Sequence, residues 1–254
     1  GYGETDSSDE LGSPLSDLDE ALGGAVSRLV ASGDLTGKLS ESHLLADVPG
    51  LAAGRLLLVG LGATEKLTSR DLEKALVSAT RRVSKSAEVS AAIALPRIDS
   101  DAISDTEAAS LAAIALQVGC IGQGLYHAKP GRHAFSAATV VSDVEGSAEA
   151  VSRGSVLGQA MNLTRELVNR GAMEVYPETF ADRAAAAAAE CGLECEVLDE
   201  DRLREERMGS LLAVAQGSVR PPRVVVLRHN GGGDGAPALA IVGKGVTFDS
   251  GGLS

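Results

Sequence analysis

Apolar residues recur along the chain with two alternating periods, one helical and one suited to strands. From Ser16 to Ser32, Leu18, Leu22, Val26, Leu29 and Val30 fall on one helical face, and Gly33 supplies a stop. Arg55 to Gly60 is a continuous apolar run closed by glycine, the pattern of a buried parallel strand. Thr68 to Lys85 returns to helical spacing through Leu72, Ala75, Leu76, Ala79 and Val83. Thr68, with Asp71 three residues on, is its candidate cap. A strand over Val89 to Leu95 stops at Pro96. Next come a helix over Thr106 to Tyr126 and a strand over Phe135 to Val141. This β-α-β-α-β rhythm predicts an α/β domain with a mainly parallel sheet.

A polar stretch around Gly146 leads into a long predicted helix from Ala148 to Asn169, which separates this domain from the remainder of the chain. Pro177 and Glu178 open an Ala-rich helix that runs on to Glu190, since proline and acidic residues suit a first helical turn. Cys195 to Leu198 is a short strand, and Asp199 to Arg207 a charged helix with a solvated face. Leu211 to Ala215 is ambiguous between helix and strand. Arg223 to Leu227 is a buried strand. A Gly-rich turn separates it from a second apolar run, Ala238 to Val242, so the two are expected as a hairpin or as neighbours in one sheet.

Composition narrows the function classes. The chain has 254 residues, with 23 Lys and Arg against 35 Asp and Glu, a formal net charge of −12. That balance argues against nucleic acid, whose phosphates need a basic surface, and against an anionic membrane. Hydrophobic residues make up 44% of the chain and aromatics only 2%, so the core must be built from Ala, Val, Leu and Ile. No apolar run approaches the roughly 18 residues of a membrane-spanning helix. Three cysteines, Cys120, Cys191 and Cys195, suggest reduced thiols in a cytoplasmic protein and not a disulfide framework. The histidines His43, His127, His133 and His229 are scattered without metal-ligand spacing. The opening Gly1-Tyr2-Gly3 looks like the exit of a strand, and the closing Gly251-Gly252-Leu253-Ser254 like an approach to further structure. The chain is therefore expected to be an excerpt of a longer one.

Candidate chemistry is densest in Gly243-Lys244-Gly245-Val246-Thr247-Phe248-Asp249-Ser250-Gly251-Gly252. The stretch comes directly after a predicted strand, and ligands in α/β sheets bind beyond the carboxyl ends of strands. A phosphate-binding loop is disfavoured, because Lys244 is followed by Gly245 and Ala238 stands where the first glycine is needed. Asp249-Ser250-Gly251-Gly252 also occurs around the nucleophile of chymotrypsin-like proteases, but those are all-β and this chain is Ala-rich and helical. A metal site is a third reading: Asp249 offers a hard carboxylate oxygen. Lys244 can coordinate only as the neutral amine, a form that an adjacent cation favours. The fourth is a simple ion pair between Lys244 and Asp249 at a strand end. Spacing alone leaves these open.

The same ten residues closely resemble the signature of the leucyl (cytosol) aminopeptidase family. A second block, Met208 to Ser218 with Pro222-Arg223, is similar to that family too, and the likeness continues more loosely from Leu18 to Val168. One departure is Asn169-Arg170-Gly171-Ala172-Met173, where the family often has Asn-x-Pro-x-Asn. The resemblance implies an α/β fold in three parts: a macro-like N-terminal domain over 1–145, a linking helix over 146–170, and the start of a larger metallopeptidase domain over 171–254. It implies two divalent metal ions, zinc or manganese with magnesium an alternative, and Lys244 and Asp249 as metal ligands. It also implies peptide substrates with a free N-terminus and a homo-hexamer. In the family the catalytic lysine, the remaining carboxylate ligands and a bicarbonate-binding arginine lie beyond the signature, so no catalytic residue is placed here and these 254 residues alone are expected to be inactive. The competing expectation is a macro-like binding or oligomerisation module with a degenerate, non-catalytic C-terminal half.

Overall fold

The fold rests on a few capped helices and short sheets, seen in a computed structural model that describes residues 2–3, 15–87, 90–98, 100–122, 124–233 and 235–247. The chain forms two compact units, residues 1–165 and 166–254.

In the first unit, β1 (Tyr2–Gly3) pairs in parallel with β3 (Arg55–Gly62), and β2 (Ser42–Ala46) pairs with the other edge of β3 in antiparallel register. The alternating pleat of β3 feeds two cores. Leu56 and Leu58 pack with Val26, Leu35 and Leu15, whereas Val59 and Leu61 pack with Leu72, Leu76 and Ala112. The expected helix over 16–32 is in fact two helices, α1 (Leu15–Ala21) and α2 (Ala25–Ala31). Gly23 and Gly24 break it with φ of 60° and 78°, a left-handed geometry that glycine adopts without penalty. The Asp19 carboxylate then caps the second helix, accepting from the backbone N–H of Val26 at 2.7 Å and of Ser27 at 3.1 Å.

A short 3₁₀ turn (Thr64–Lys66) leads to α3 (Ser69–Val83), where Thr68 is the N-cap and accepts from the Asp71 N–H at 3.2 Å. β4 (Ser90–Ala94), α4 (Asp105–Gly119) and β5 (Ala137–Val141) form a β-α-β unit with parallel strands. Ser104 caps α4 in the same way. α4 ends well before Tyr126, and side chains of α5 (Ser147–Asn169) take up two of its last carbonyls. The Asn162 amide donates to the Gln117 oxygen at 2.9 Å, and Arg165 Nη1 donates to the Val118 oxygen at 3.1 Å. Small residues bring these helices together. A Cβ on Gly119 would lie 2.5 Å from Thr80 Cβ, and one on Gly154 would lie 2.2 Å from the Ser110 oxygen. Ala108, Ala109, Ala112, Ala113 and Ala115 are buried on α4, so close helix approach takes the place of aromatic bulk.

The second unit holds α6 (Pro177–Cys191), β6 (Glu194–Leu198), α7 (Glu200–Glu205), α8 (Gly209–Ala215) and β7 (Val224–Arg228). Pro177 stands at the first turn of α6, as its sequence predicts, and Gly192 closes that helix at φ 70°. The ambiguous run 211–215 is helical. Glu166, in the last turn of α5, accepts from Arg170 Nη2 at 2.7 Å and from Arg183 Nη2 at 2.5 Å. Hydrogen bonds and charge from these arginines hold its carboxyl below the usual carboxylate range.

The expected parallel pairing holds in the first unit for β1–β3 and β4–β5, with β2 an antiparallel edge on β3, and β6–β7 of the second unit is antiparallel. One expectation needs correction. The hairpin between 223–227 and 238–242 does not form. β7 pairs with β6, and Ala238–Val242 carries no strand among the described residues. Leu239, Ile241 and Val242 are 88%, 90% and 94% exposed. An apolar run becomes a strand only when a neighbouring ladder takes up its backbone groups, and no described residue offers one here.

Candidate functional site

The candidate metal ligands lie in the second unit, after β7. Lys244 sits on an irregular, exposed segment that runs from Ala236 to Thr247. Its amine makes no ion pair with a described residue. A Cβ on Gly243 or Gly245 would meet no described residue within 4 Å. Asp249, the other candidate ligand, lies outside the described residues.

Among the described residues no three His, Cys, Asp or Glu side chains gather as a metal cluster. Cys191 is exposed and Cys195 half-buried, and both are free thiols. Cys120 is buried in the first unit, and burial pushes its thiol above the usual range. The histidines form no ligand set. The acidic run 199–206 is an ion-paired helix surface: Arg202 bridges to Glu205 and Glu206, and Arg204 to Glu200 and Asp201.

The second signature block does build local structure. Met208 precedes α8, and the segment after that helix turns through Ser218 to Pro221 and Pro222. A cleft of about 420 Å³ opens there, lined by Glu200, Leu212, Gln216, Arg220 and Pro221. The Arg220 guanidinium stacks 3.9 Å from the centre of the Tyr176 ring. Lys244 does not line this cleft. No helix among the described residues is long and apolar enough to cross a membrane.

Comparison with known proteins supplies what geometry alone does not. The model of the cytosol aminopeptidase family N-terminal domain matches residues 3–130, and that of the family's catalytic domain matches residues 162–254. A probable cytosol aminopeptidase from Rhodopirellula baltica is 41% identical over 94% of this chain and 45% of its own length. A cytosol aminopeptidase from Pseudomonas aeruginosa is 38% identical over 96% of this chain and 50% of its own. Among solved structures, a tomato leucine aminopeptidase mutant superposes with a TM-score of 0.80 at 26% identity, covering 100% of this chain and 52% of that one. A bottromycin maturation enzyme in complex with Mn gives a TM-score of 0.66 at 26% identity over 80% of this chain and 42% of its own. The chain spans about half the length of the curated relatives it matches.

Proposed function

The chain belongs to the cytosol aminopeptidase family, and on that premise we propose that the protein hydrolyses the N-terminal residue from peptides with a free amino terminus, using two divalent metal ions. The observation that carries this reading is the order of the two family domains along one chain, with the Gly243–Gly252 signature inside the second. The Mn-bound neighbour supports a divalent cation as cofactor; the family resemblance suggests zinc or manganese, with magnesium an alternative. Lys244 and Asp249 are the ligands we assign to it, Lys244 through the neutral amine and Asp249 through a carboxylate oxygen. Paired divalent cations supply Lewis-acid polarisation of a carbonyl and an activated water.

The described residues contribute one donor nitrogen toward such a centre, that of Lys244. One donor falls short of a metal site. The same reading places the protein in the cytoplasm as a homo-hexamer, with the macro-like domain over 1–145 and the linking helix over 146–170 ahead of the catalytic part.

The test is hydrolysis of leucyl-p-nitroanilide by the product of the complete reading frame. Turnover abolished by a chelator and restored by Mn²⁺ or Zn²⁺ is expected. A folded, metal-loaded protein with no turnover of any aminoacyl anilide would overturn the reading in favour of a binding or oligomerisation module.

A further inference from the structure

The first unit carries two stretches that lack acidic residues. From Lys74 to Ala87 and from Ala108 to Ser142 there is no Asp or Glu at all. These two stretches meet in space. α3 and α4 run in the same direction: the Ser69 hydroxyl reaches Glu107 at their N-terminal ends, and Gly119 lies against Thr80 and Val77 at their C-terminal ends. The loop after α4 folds back onto α3, with the His133 N–H donating to the Ser84 oxygen at 2.8 Å.

Two guanidiniums meet there, and a third arginine stands on the neighbouring turn of α3. Arg132 Nη1 and Arg165 Nη2 each donate to the Ile121 oxygen at 3.2 Å, so their heads share one acceptor. Arg81 belongs to the turn of α3 that packs on Gly119. Burial, and then the like charges of Arg81 and Arg132, push the Arg165 guanidinium below its ordinary value. Among the described residues none of the three forms an ion pair.

Helix ends account for only part of this arrangement. The C-terminus of a helix carries roughly half a negative charge, so the ends of α3 and α4 together offer about −1 against three full positive charges. Most of the guanidinium N–H groups also have no acceptor among the described residues. Arg165 spends both Nη1 donors, on the Val118 oxygen and the Asn162 amide oxygen, and one Nη2 donor on Ile121. Arg132 spends one, and no side-chain hydrogen bond of Arg81 is present among the described residues. Spare guanidinium donors beside a local excess of positive charge are the chemistry that takes up an oxyanion, which guanidinium groups bind in bidentate fashion.

We propose that Arg81, Arg132 and Arg165 form a binding site for an oxyanion of the phosphate class at the joined C-terminal ends of α3 and α4. The site lies in the first unit and is independent of the peptidase reading. Inorganic pyrophosphate titrated into the full chain by calorimetry at low ionic strength should bind saturably with one site per chain. Arg81→Gln alone should weaken it severalfold. Arg81→Gln with Arg132→Gln should weaken it at least tenfold. The exposed Arg70→Gln, which removes one charge elsewhere, should leave the isotherm unchanged. Arg165 is left intact because it also holds α4 carbonyls, and thermal melts of the variants should overlay that of the parent. Arg81→Gln breaks no described hydrogen bond, so its binding loss is readable even if the double variant melts early. No saturable binding up to millimolar pyrophosphate would overturn the proposal. So would equal losses in Arg70→Gln and Arg81→Gln, or undiminished binding in the double variant.

Discussion

Replacing Gly154 by alanine should destabilise the first unit, although alanine is the better helix former. In an exposed helix interior the change is worth about 1 kcal/mol in favour of folding. Here the new methyl would stand 2.2 Å from the Ser110 oxygen, 2.9 Å from the Ser110 carbonyl carbon and 3.0 Å from Ala113 Cβ. Ordinary contact begins near 3.4 Å, so α5 must withdraw from α4 by about 1 Å. Two of the three obstacles are backbone atoms of a helix packed on both sides, so they cannot rotate away. Overpacking of this kind costs about 1–3 kcal/mol. Against backbone obstacles the upper part of that range applies, about 2–3 kcal/mol, so a net loss of about 1–2 kcal/mol remains after the propensity gain. For a unit of this size each kcal/mol moves the midpoint by roughly 2–4 °C, which gives a fall of about 2–8 °C. The assay is thermal unfolding monitored by circular dichroism, with Gly209→Ala as the paired control. Gly209 begins α8 in open space, so the same chemical change there should leave the midpoint level or raise it slightly. A Gly154→Ala midpoint equal to or above the parent would refute the close α4–α5 crossing.

Thr68→Ala and Ser104→Ala should each cost about 1 kcal/mol, the usual worth of an N-cap, because each hydroxyl takes up one N–H of a first helical turn; urea denaturation measures both. Glu166 has its carboxyl held below the usual range by Arg170 and Arg183, so its stabilisation is present above the ordinary value of 4.5 and is lost as pH falls through the lowered one. Glu166→Gln should therefore lower the melting midpoint at pH 7 and flatten its dependence on pH below about 4.5; an unchanged acid limb would contradict the ion-pair account. Iodoacetamide at pH 8 should label exposed Cys191 first and Cys120 last, since burial both shields the Cys120 thiol and raises its pKa; mass spectrometry of the labelled peptides gives the order.

The helices of the fold were largely legible because local chemistry sets their ends. Thr68 with Asp71, and Pro177 at a first turn, act within a few residues of themselves. What escaped the pattern depends on partners distant in sequence. The apolar face of 16–32 continues smoothly across Gly23 and Gly24, and only the Asp19 cap on Val26 and Ser27 reveals a new helix start. β2 carries a short apolar core, Leu44-Leu45, and becomes a strand because β3 pairs with it from Arg55 to Val59. Ala238–Val242 shows the reverse case, a strand-like sequence without a described partner. The candidate ligands obey the same division. Lys244 and Asp249 are ordinary residues by spacing, and they acquire a role only through likeness to a family signature. The arginines of the first unit are far apart in sequence, so no local motif marks them before α3, α4 and α5 are packed.

The most direct test is to count bound manganese. Equilibrium dialysis of the complete protein against Mn²⁺, beside Lys244→Met and Asp249→Asn, should give two ions per chain for the parent and at least one fewer for each variant, with circular dichroism spectra that overlay. Two ions retained by both variants would separate these side chains from the cation and remove the chemistry assigned to them.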